Sequence, residues 1–265
     1  MNKAEDLLTD FIKKLAEYYT SGNESLLPLF PMLKKEIANI SNLYKSHHLK
    51  VYQNIIDISI SLFLPLTEAI KDDKPVEDIL DETETILSNY PKDYSYQFLR
   101  STLNFLFYGY YHKHKLFKKE MQYFELLNNQ FPKFFYHNHT CFCSKFLISK
   151  IETYIEQGKE NKLYDENTDI FEKYSPEKSD IPNYVNYMKY LAASAFYVRK
   201  YPEAAKILSE LINDIGFKHF PHTEIEIKLF LALSYSMCNK YELAWNVLRS
   251  VTRKISEMNS NGSYE

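Results

Sequence analysis

The sequence predicts an all-α protein, an array of about twelve helices paired into antiparallel hairpins. Apolar residues recur at intervals of three and four along almost the whole chain, and two-residue alternation is rare. Only 5 of the 265 residues are glycine, although about 7 % is usual. This scarcity disfavours the nucleotide-binding α/β folds, which need glycine at fixed offsets. A period of roughly 40 residues is the third observation, and it is typical of stacked helices.

The helix boundaries follow from the apolar stripes and from the residues that interrupt them. Leu7, Phe11 and Leu15 share one face of the first helix, which ends near Gly22. Pro65 should kink or restart the third helix, because proline removes a backbone donor. The helices are predicted at 4–20, 29–46, 49–71, 76–89, 94–113, 116–130, 134–157, 160–174, 182–199, 202–214, 222–238 and 241–258.

The period is read from the second helix of each pair. These helices are predicted to start near residues 76, 116, 160, 202 and 241. A regular spacing of this length predicts about six hairpins that stack into a curved superhelix. The predicted organisation is an N-terminal helical segment (1–72) packed on the array, the repeats (73–258) and a disordered tail (259–265).

The best internal match lies near the C-terminus. A Leu-Ala pair on one helix is followed by a tyrosine and then by an alanine three residues later on the next helix. The small residues let two helices approach closely, and the aromatic ring fills the wedge at the turn between them. The two copies are related by one constant offset and consist of Leu191, Ala192, Tyr201 and Ala204, and of Leu231, Ala232, Tyr241 and Ala244.

This pattern resembles the tetratricopeptide repeat, clearly over 182–258 and weakly over 94–132. Met188 and Lys228 stand where the family has a tryptophan, and the period is longer than that of the family. An irregular helical bundle whose last two pairs merely look alike is the alternative interpretation.

The resemblance implies a concave groove, lined by the first helices of the pairs, that holds a peptide or protein partner. Its groove positions, carried over residue by residue, are Asn186, Lys189, Phe196, Tyr197, Glu226, Leu229, Leu233 and Met237, with Phe105, His112 and Lys113 from the weaker copy. We expect Lys189 and Asn186 to hold a peptide carboxylate or backbone, and Phe196 and Tyr197 to pack against a side chain.

Composition narrows the function classes. The net charge of -3 gives no general attraction to nucleic acid or to an acidic membrane. No apolar segment reaches the roughly 20 residues needed to span a bilayer, and three cysteines do not suggest a disulfide framework. No motif of an established enzyme class is present. We expect a non-catalytic cytoplasmic scaffold without a cofactor, and the apolar early helices could cap the array or dimerise.

Two other functions are considered. The first is a peptide- or ligand-sensing module of a bacterial regulatory system that acts with a separate DNA-binding chain. The second is a metal-binding helical protein that uses His137, His139, Cys141 and Cys143, whose side chains are of the types that bind zinc or copper. On a helix, however, the two His-Cys pairs would lie about 200° apart and could not share one ion.

Overall fold

The computed structural model describes residues 2–65, 74–91, 94–134, 143–167 and 176–260. Within them the protein is all-α, with twelve α-helices and no strand. The helices are α1 (Asn2–Ser21), α2 (Leu29–Tyr44), α3 (His47–Phe63), α4 (Val76–Asn89), α5 (Tyr94–Lys113), α6 (Phe117–Phe134), α7 (Cys143–Glu156), α8 (Glu160–Asp165), α9 (Ile181–Tyr197), α10 (Tyr201–Asp214), α11 (Pro221–Met237) and α12 (Tyr241–Ser260). Short 3₁₀ turns occupy Glu24–Leu26 and Phe217–His219.

Most predicted helices are present, and the differences fall at their ends. Helix α3 ends at Phe63, shortly before Pro65, and α6 continues through Pro132 to Phe134 instead of ending at residue 130. Helix α12 reaches Ser260 and so includes the first part of the predicted tail. The remaining tail residues, the beginning of the helix predicted at 134–157 and the ends of the helices predicted at 49–71 and 160–174 lie outside the described residues.

The chain forms two compact units. Unit 1 comprises Met1–Tyr18 and Glu24–Cys143, and unit 2 comprises Tyr19–Asn23 and Ser144–Glu265. The main division between the two units therefore falls after residue 143.

Helix α3 forms the centre of unit 1. It contacts α2, α4 and α5, and Ile55, Ile56 and Ile58 are fully buried. A buried hydrogen bond from Asn54 Nδ2 to Thr83 Oγ1, 3.0 Å long, links α3 to α4. Because these two polar groups are enclosed together, α3 is covered at this point without a large desolvation cost.

In unit 2, α9, α10, α11 and α12 pack on one another in chain order. Each of the last two pairs also has a polar link near the end of its second helix. Tyr184 donates to Asp214 at 2.7 Å in the first pair, and Glu224 binds Lys254 at 2.9 Å in the second. The two links occupy equivalent positions of the two pairs, at the same offset as the sequence motif.

One turn recurs four times between consecutive helices. Its central residue has a left-handed backbone, with φ between 56 and 65°. The next amide donates to the carbonyl five residues earlier at 2.8 to 2.9 Å, and the left-handed residue's own amide donates to the carbonyl three residues earlier at 2.9 to 3.0 Å. This pair of bonds defines the Schellman end of a helix. The four central residues, at nearly regular intervals, are Lys115, Gly158, Arg199 and Asn239.

The recurrent turn accounts for part of the glycine shortage. The left-handed position usually takes glycine, but here only Gly158 supplies it and three larger residues fill the other turns. In each case the next helix begins at the second residue after the left-handed one. The same short connection thus joins α5 to α6, α7 to α8, α9 to α10 and α11 to α12.

Candidate partner-binding surface

The predicted groove residues of unit 2 lie along one face formed by α9 and α11. We call this the α9–α11 face and define it by Asn186, Lys189, Tyr197, Glu226, Leu229, Leu233 and Met237. On each helix most of these positions recur every three or four residues, so they form a stripe. Two contacts join the two stripes: an ion pair and a contact between aromatic rings.

The first contact is an ion pair. Lys189 Nζ on α9 lies 2.5 Å from Glu226 Oε1 on α11. The lysine side chain is largely covered and the carboxylate is largely exposed. The ammonium group of Lys189 was expected to hold a peptide carboxylate. It is already paired with the carboxylate of Glu226. A peptide carboxylate at this position would have to displace Glu226 from Lys189.

The second contact is aromatic. The ring of Phe196 lies edge-on to that of Phe230 on α11, with 5.3 Å between centroids. It also contacts Tyr201 at the start of α10 and Tyr197 beside it. Phe196 is half-buried and stabilises the arrangement of three helices, while Tyr197 remains exposed.

Helix α11 contributes the apolar part of the face. Leu229, Leu233 and Met237 are 46 %, 49 % and 45 % exposed, and they follow one another at intervals of four. The opposite side of α11 is buried, as Ile227 and Leu231 show. A helix that is apolar on all sides is normally covered on all sides, so the open stripe is an unusual feature of α11.

The residues taken from the weaker copy have different surroundings. Phe105 is buried and its ring lies 6.2 Å from that of Phe63 on α3. Lys113 donates to the carbonyl of Ser61 at 2.9 Å, and His112 Nδ1 lies 2.9 Å from Glu120 Oε1. Phe105 and Lys113 thus hold α5 against the end of α3, and we leave all three predicted residues out of the candidate surface.

The predicted metal ligands give no site that can be described. His137, His139 and Cys141 lie outside the described residues, as does the side chain of Cys143. Elsewhere in the described chain, no three His, Cys, Asp or Glu residues are grouped so that they could hold a metal ion.

Among the described helices, none has the length and apolar character needed to cross a membrane.

A buried charged cluster in unit 2 has no counterpart among the predicted sites. The ammonium group of Lys150 contacts the carboxylate of Glu166, and Tyr154 donates to the same carboxylate at 3.2 Å. Burial lowers the pKa of Lys150, and Glu166 opposes this by stabilising the charged form. Because Lys150 and Glu166 are distant in sequence and belong to no known motif, spacing alone could not reveal the pair. The three groups bind one another and join α7 to the end of α8.

Comparison with protein-family profiles, curated proteins and solved structures finds no match to the chain.

Proposed function

We propose that unit 2 is a non-catalytic, tetratricopeptide-like scaffold that binds an apolar segment of a protein or peptide on the α9–α11 face. The observation that carries the proposal is the open stripe of Leu229, Leu233 and Met237 on a helix whose other side is buried. Contiguous exposed apolar surface on a folded protein commonly marks an interaction site.

Three features support the tetratricopeptide-like part of the proposal. The Schellman turn recurs with a period of about 40 residues, within the range of stacked helical repeats. The alanine that follows the tyrosine of the motif is buried in both copies, as Ala204 and Ala244, in the helices after the last two of these turns. The ion pair and the ring contact join α9 to α11 in the same order along both helices. Side-by-side first helices are the arrangement that such repeats need.

The chemistry of the face favours one kind of partner. Three apolar side chains at intervals of four cover about 12 Å along a helix axis, a length that one short amphipathic segment can match. The Lys189–Glu226 pair offers both a cation and an acceptor beside them. We therefore expect a segment with two or three large apolar residues and a single polar or charged group. The scaffold is proposed to act in the cytoplasm and without a cofactor.

The test uses peptides selected from a random display library on the purified full chain. Their affinities are then measured by fluorescence anisotropy for the natural protein, for Leu233→Glu and for Leu43→Glu. Leu43 is 73 % exposed on α2, so its variant controls for the general effect of placing an acid on an exposed leucine.

We expect Leu233→Glu to weaken binding by at least about tenfold, which corresponds to about 1.4 kcal/mol, and Leu43→Glu to leave it unchanged. Equal affinities for all three proteins would contradict the proposed surface.

A further inference from the structure

A second open apolar stripe lies on α12, and its residues repeat at intervals of four, three, four and three. The stripe consists of Tyr241, Trp245, Leu248, Thr252 and Ile255. Tyr241 and Trp245 are 65 % and 57 % exposed. Alternating steps of four and three are the spacing with which one helix packs along another.

In the preceding pair of helices, the residues equivalent to this stripe are covered by the next helix. The positions equivalent to Trp245 and Leu248 are Ala205 and Leu208 on α10, and the position equivalent to Ile255 is Ile215. These three earlier residues are buried, and α11 packs against α10. Trp245 and Ile255 are exposed instead, so the later stripe has no such cover.

We infer that this stripe is an interface between two copies of the chain, in which two α12 helices pair in antiparallel orientation about a twofold axis. The charges beside the stripe argue for a second copy. Glu242 and Arg249 lie along one edge of the stripe, which we call the outer edge; Ala244 and Val251 lie along the opposite, inner edge. Among the described residues neither Glu242 nor Arg249 has an ion-pair partner. The Arg249 guanidinium lies over the Trp245 ring. The neighbouring cations are engaged, since Lys254 binds Glu224 and Arg253 lies 3.7 Å from Glu257.

One antiparallel register satisfies both the apolar and the charged residues. In this register Trp245 of each copy lies opposite Leu248 of the other. The twofold axis then crosses the pair of helices midway between these two positions. The outer edges of the two helices then face each other, because antiparallel helices bring equivalent edges together. Glu242 of each copy lies beside Arg249 of its partner, which gives two symmetrical ion pairs.

A parallel pairing would not use these charges. Parallel helices bring the outer edge of one copy against the inner edge of the other. The inner edge carries Ala244 and Val251, which are apolar and buried within their own unit. Glu242 and Arg249 would then gain no opposite charge, so the charge pattern selects the antiparallel pairing.

The size of the stripe sets the expected affinity. The 20 residues of α12 extend over about 30 Å, and the exposed parts of Tyr241 and Trp245 amount to about 250 Å² per copy. A standard interface buries about 800 Å² per partner. The rim and the remaining side chains must supply the difference, so we expect a reversible dimer in the micromolar range.

Sedimentation equilibrium of the full chain tests the inference, from about 1 to about 100 µM to bracket that affinity. The natural protein should pass from the 31.5 kDa mass of one chain to twice that mass. Trp245→Glu should weaken the dimer by at least about tenfold. Helicity measured by circular dichroism verifies that the variant folds. Leu233→Glu on the α9–α11 face should dimerise normally, so this experiment and the peptide experiment fail independently.

Charge exchange tests the antiparallel register. Glu242→Arg and Arg249→Glu should each weaken the dimer, because like charges then face each other, and the double variant should restore it. A chain that stays monomeric over the whole concentration range would overturn the inference, and the stripe would then be a candidate surface for a different protein. A dimer that withstands Trp245→Glu, or single charge variants that weaken it without rescue in the double variant, would also overturn it.

Discussion

Helices α3 and α11 are both apolar around most of their circumference, yet only α3 is covered on nearly all sides. Neighbouring helices contact α3 from within unit 1 and bury most of its length, from Leu49 to Ser61. Helix α11 buries one side and exposes Leu229, Leu233 and Met237 on the other. Two helices of similar apolar character are therefore covered differently: α3 is a core helix, whereas α11 combines a buried side with an exposed apolar side.

The largest difference should appear when one apolar residue is truncated in each helix. Ile58 is fully buried, so Ile58→Ala should lower the free energy of unfolding by about 3 kcal/mol through lost burial and a cavity. Leu233→Ala should change it by less than about 0.5 kcal/mol, as for other exposed sites. Urea denaturation followed by circular dichroism measures both. A cost for Leu233→Ala above about 2 kcal/mol, the range of buried truncations, would show that the α11 stripe is covered within the chain.

The same comparison can be made with identical residues on α10 and α12. Leu208 is fully buried, whereas Leu248 at the equivalent position of the next pair is only partly buried. Leu208→Ala should lower the free energy of unfolding by about 3 kcal/mol, and Leu248→Ala should lower it by about 1 kcal/mol. The measurement is made at low protein concentration, so that association does not stabilise the natural chain. Equal costs would mean that the two helices are covered to the same extent.

A pH-dependent prediction concerns the polar link that holds α11 to α12. Burial alone would raise the pKa of Glu224, but hydrogen bonds and charge interactions with Lys228 and Lys254 outweigh it and hold the pKa below its ordinary value. A lowered folded-state pKa contributes stability that is present above the ordinary glutamate pKa of about 4.3. This contribution is lost as the pH falls through the folded-state value.

Glu224→Gln should therefore lower the melting temperature at neutral pH, with a cost below about 1 kcal/mol because the group is partly exposed. The difference from the natural protein should shrink below about pH 4. Thermal melts of both proteins across this range provide the check. A difference that stays constant with pH would assign the link to hydrogen bonding without charge.

The smallest expected effect concerns the recurrent turn. Arg199 has φ of 65°, a conformation that costs a residue with a Cβ about 1 kcal/mol. Arg199→Gly should raise the free energy of unfolding by about 0.5 kcal/mol after the extra entropy of glycine in the unfolded chain is subtracted. Gly158 supplies the matched control, since Gly158→Arg should destabilise its own turn. A loss of stability in Arg199→Gly would contradict this account of the turn.

The sequence predicted the helical class well because its periodic signals are local. Helices α4 and α5 occupy the predicted ranges, and the regular spacing of second-helix starts corresponds to the four Schellman turns. The periodic pattern did not indicate which helices pack around α3, because that packing depends on contacts between residues that are distant in sequence. Lys113 on α5, for example, donates to the carbonyl of Ser61 on α3, 52 residues earlier in the chain.

The candidate surface was only partly predictable for the same reason. The resemblance to the tetratricopeptide repeat implied that Leu229, Leu233 and Met237 are groove residues, and the structure shows that they are exposed. Spacing could not reveal that Glu226 binds Lys189 or that Phe105 is buried against α3. Whether a residue at a groove position is accessible depends on its neighbours in space, and those neighbours come from other helices.

Photo-cross-linking in cells that naturally produce the protein tests the central claim most directly. A benzophenone amino acid replaces Leu233 in one variant and Leu43 in another, and the cross-linked segments are identified by mass spectrometry. We expect one discrete apolar segment to be captured at Leu233 and not at Leu43. Identical captures at both positions, or none at Leu233, would contradict the assignment of the α9–α11 face as a partner-binding surface.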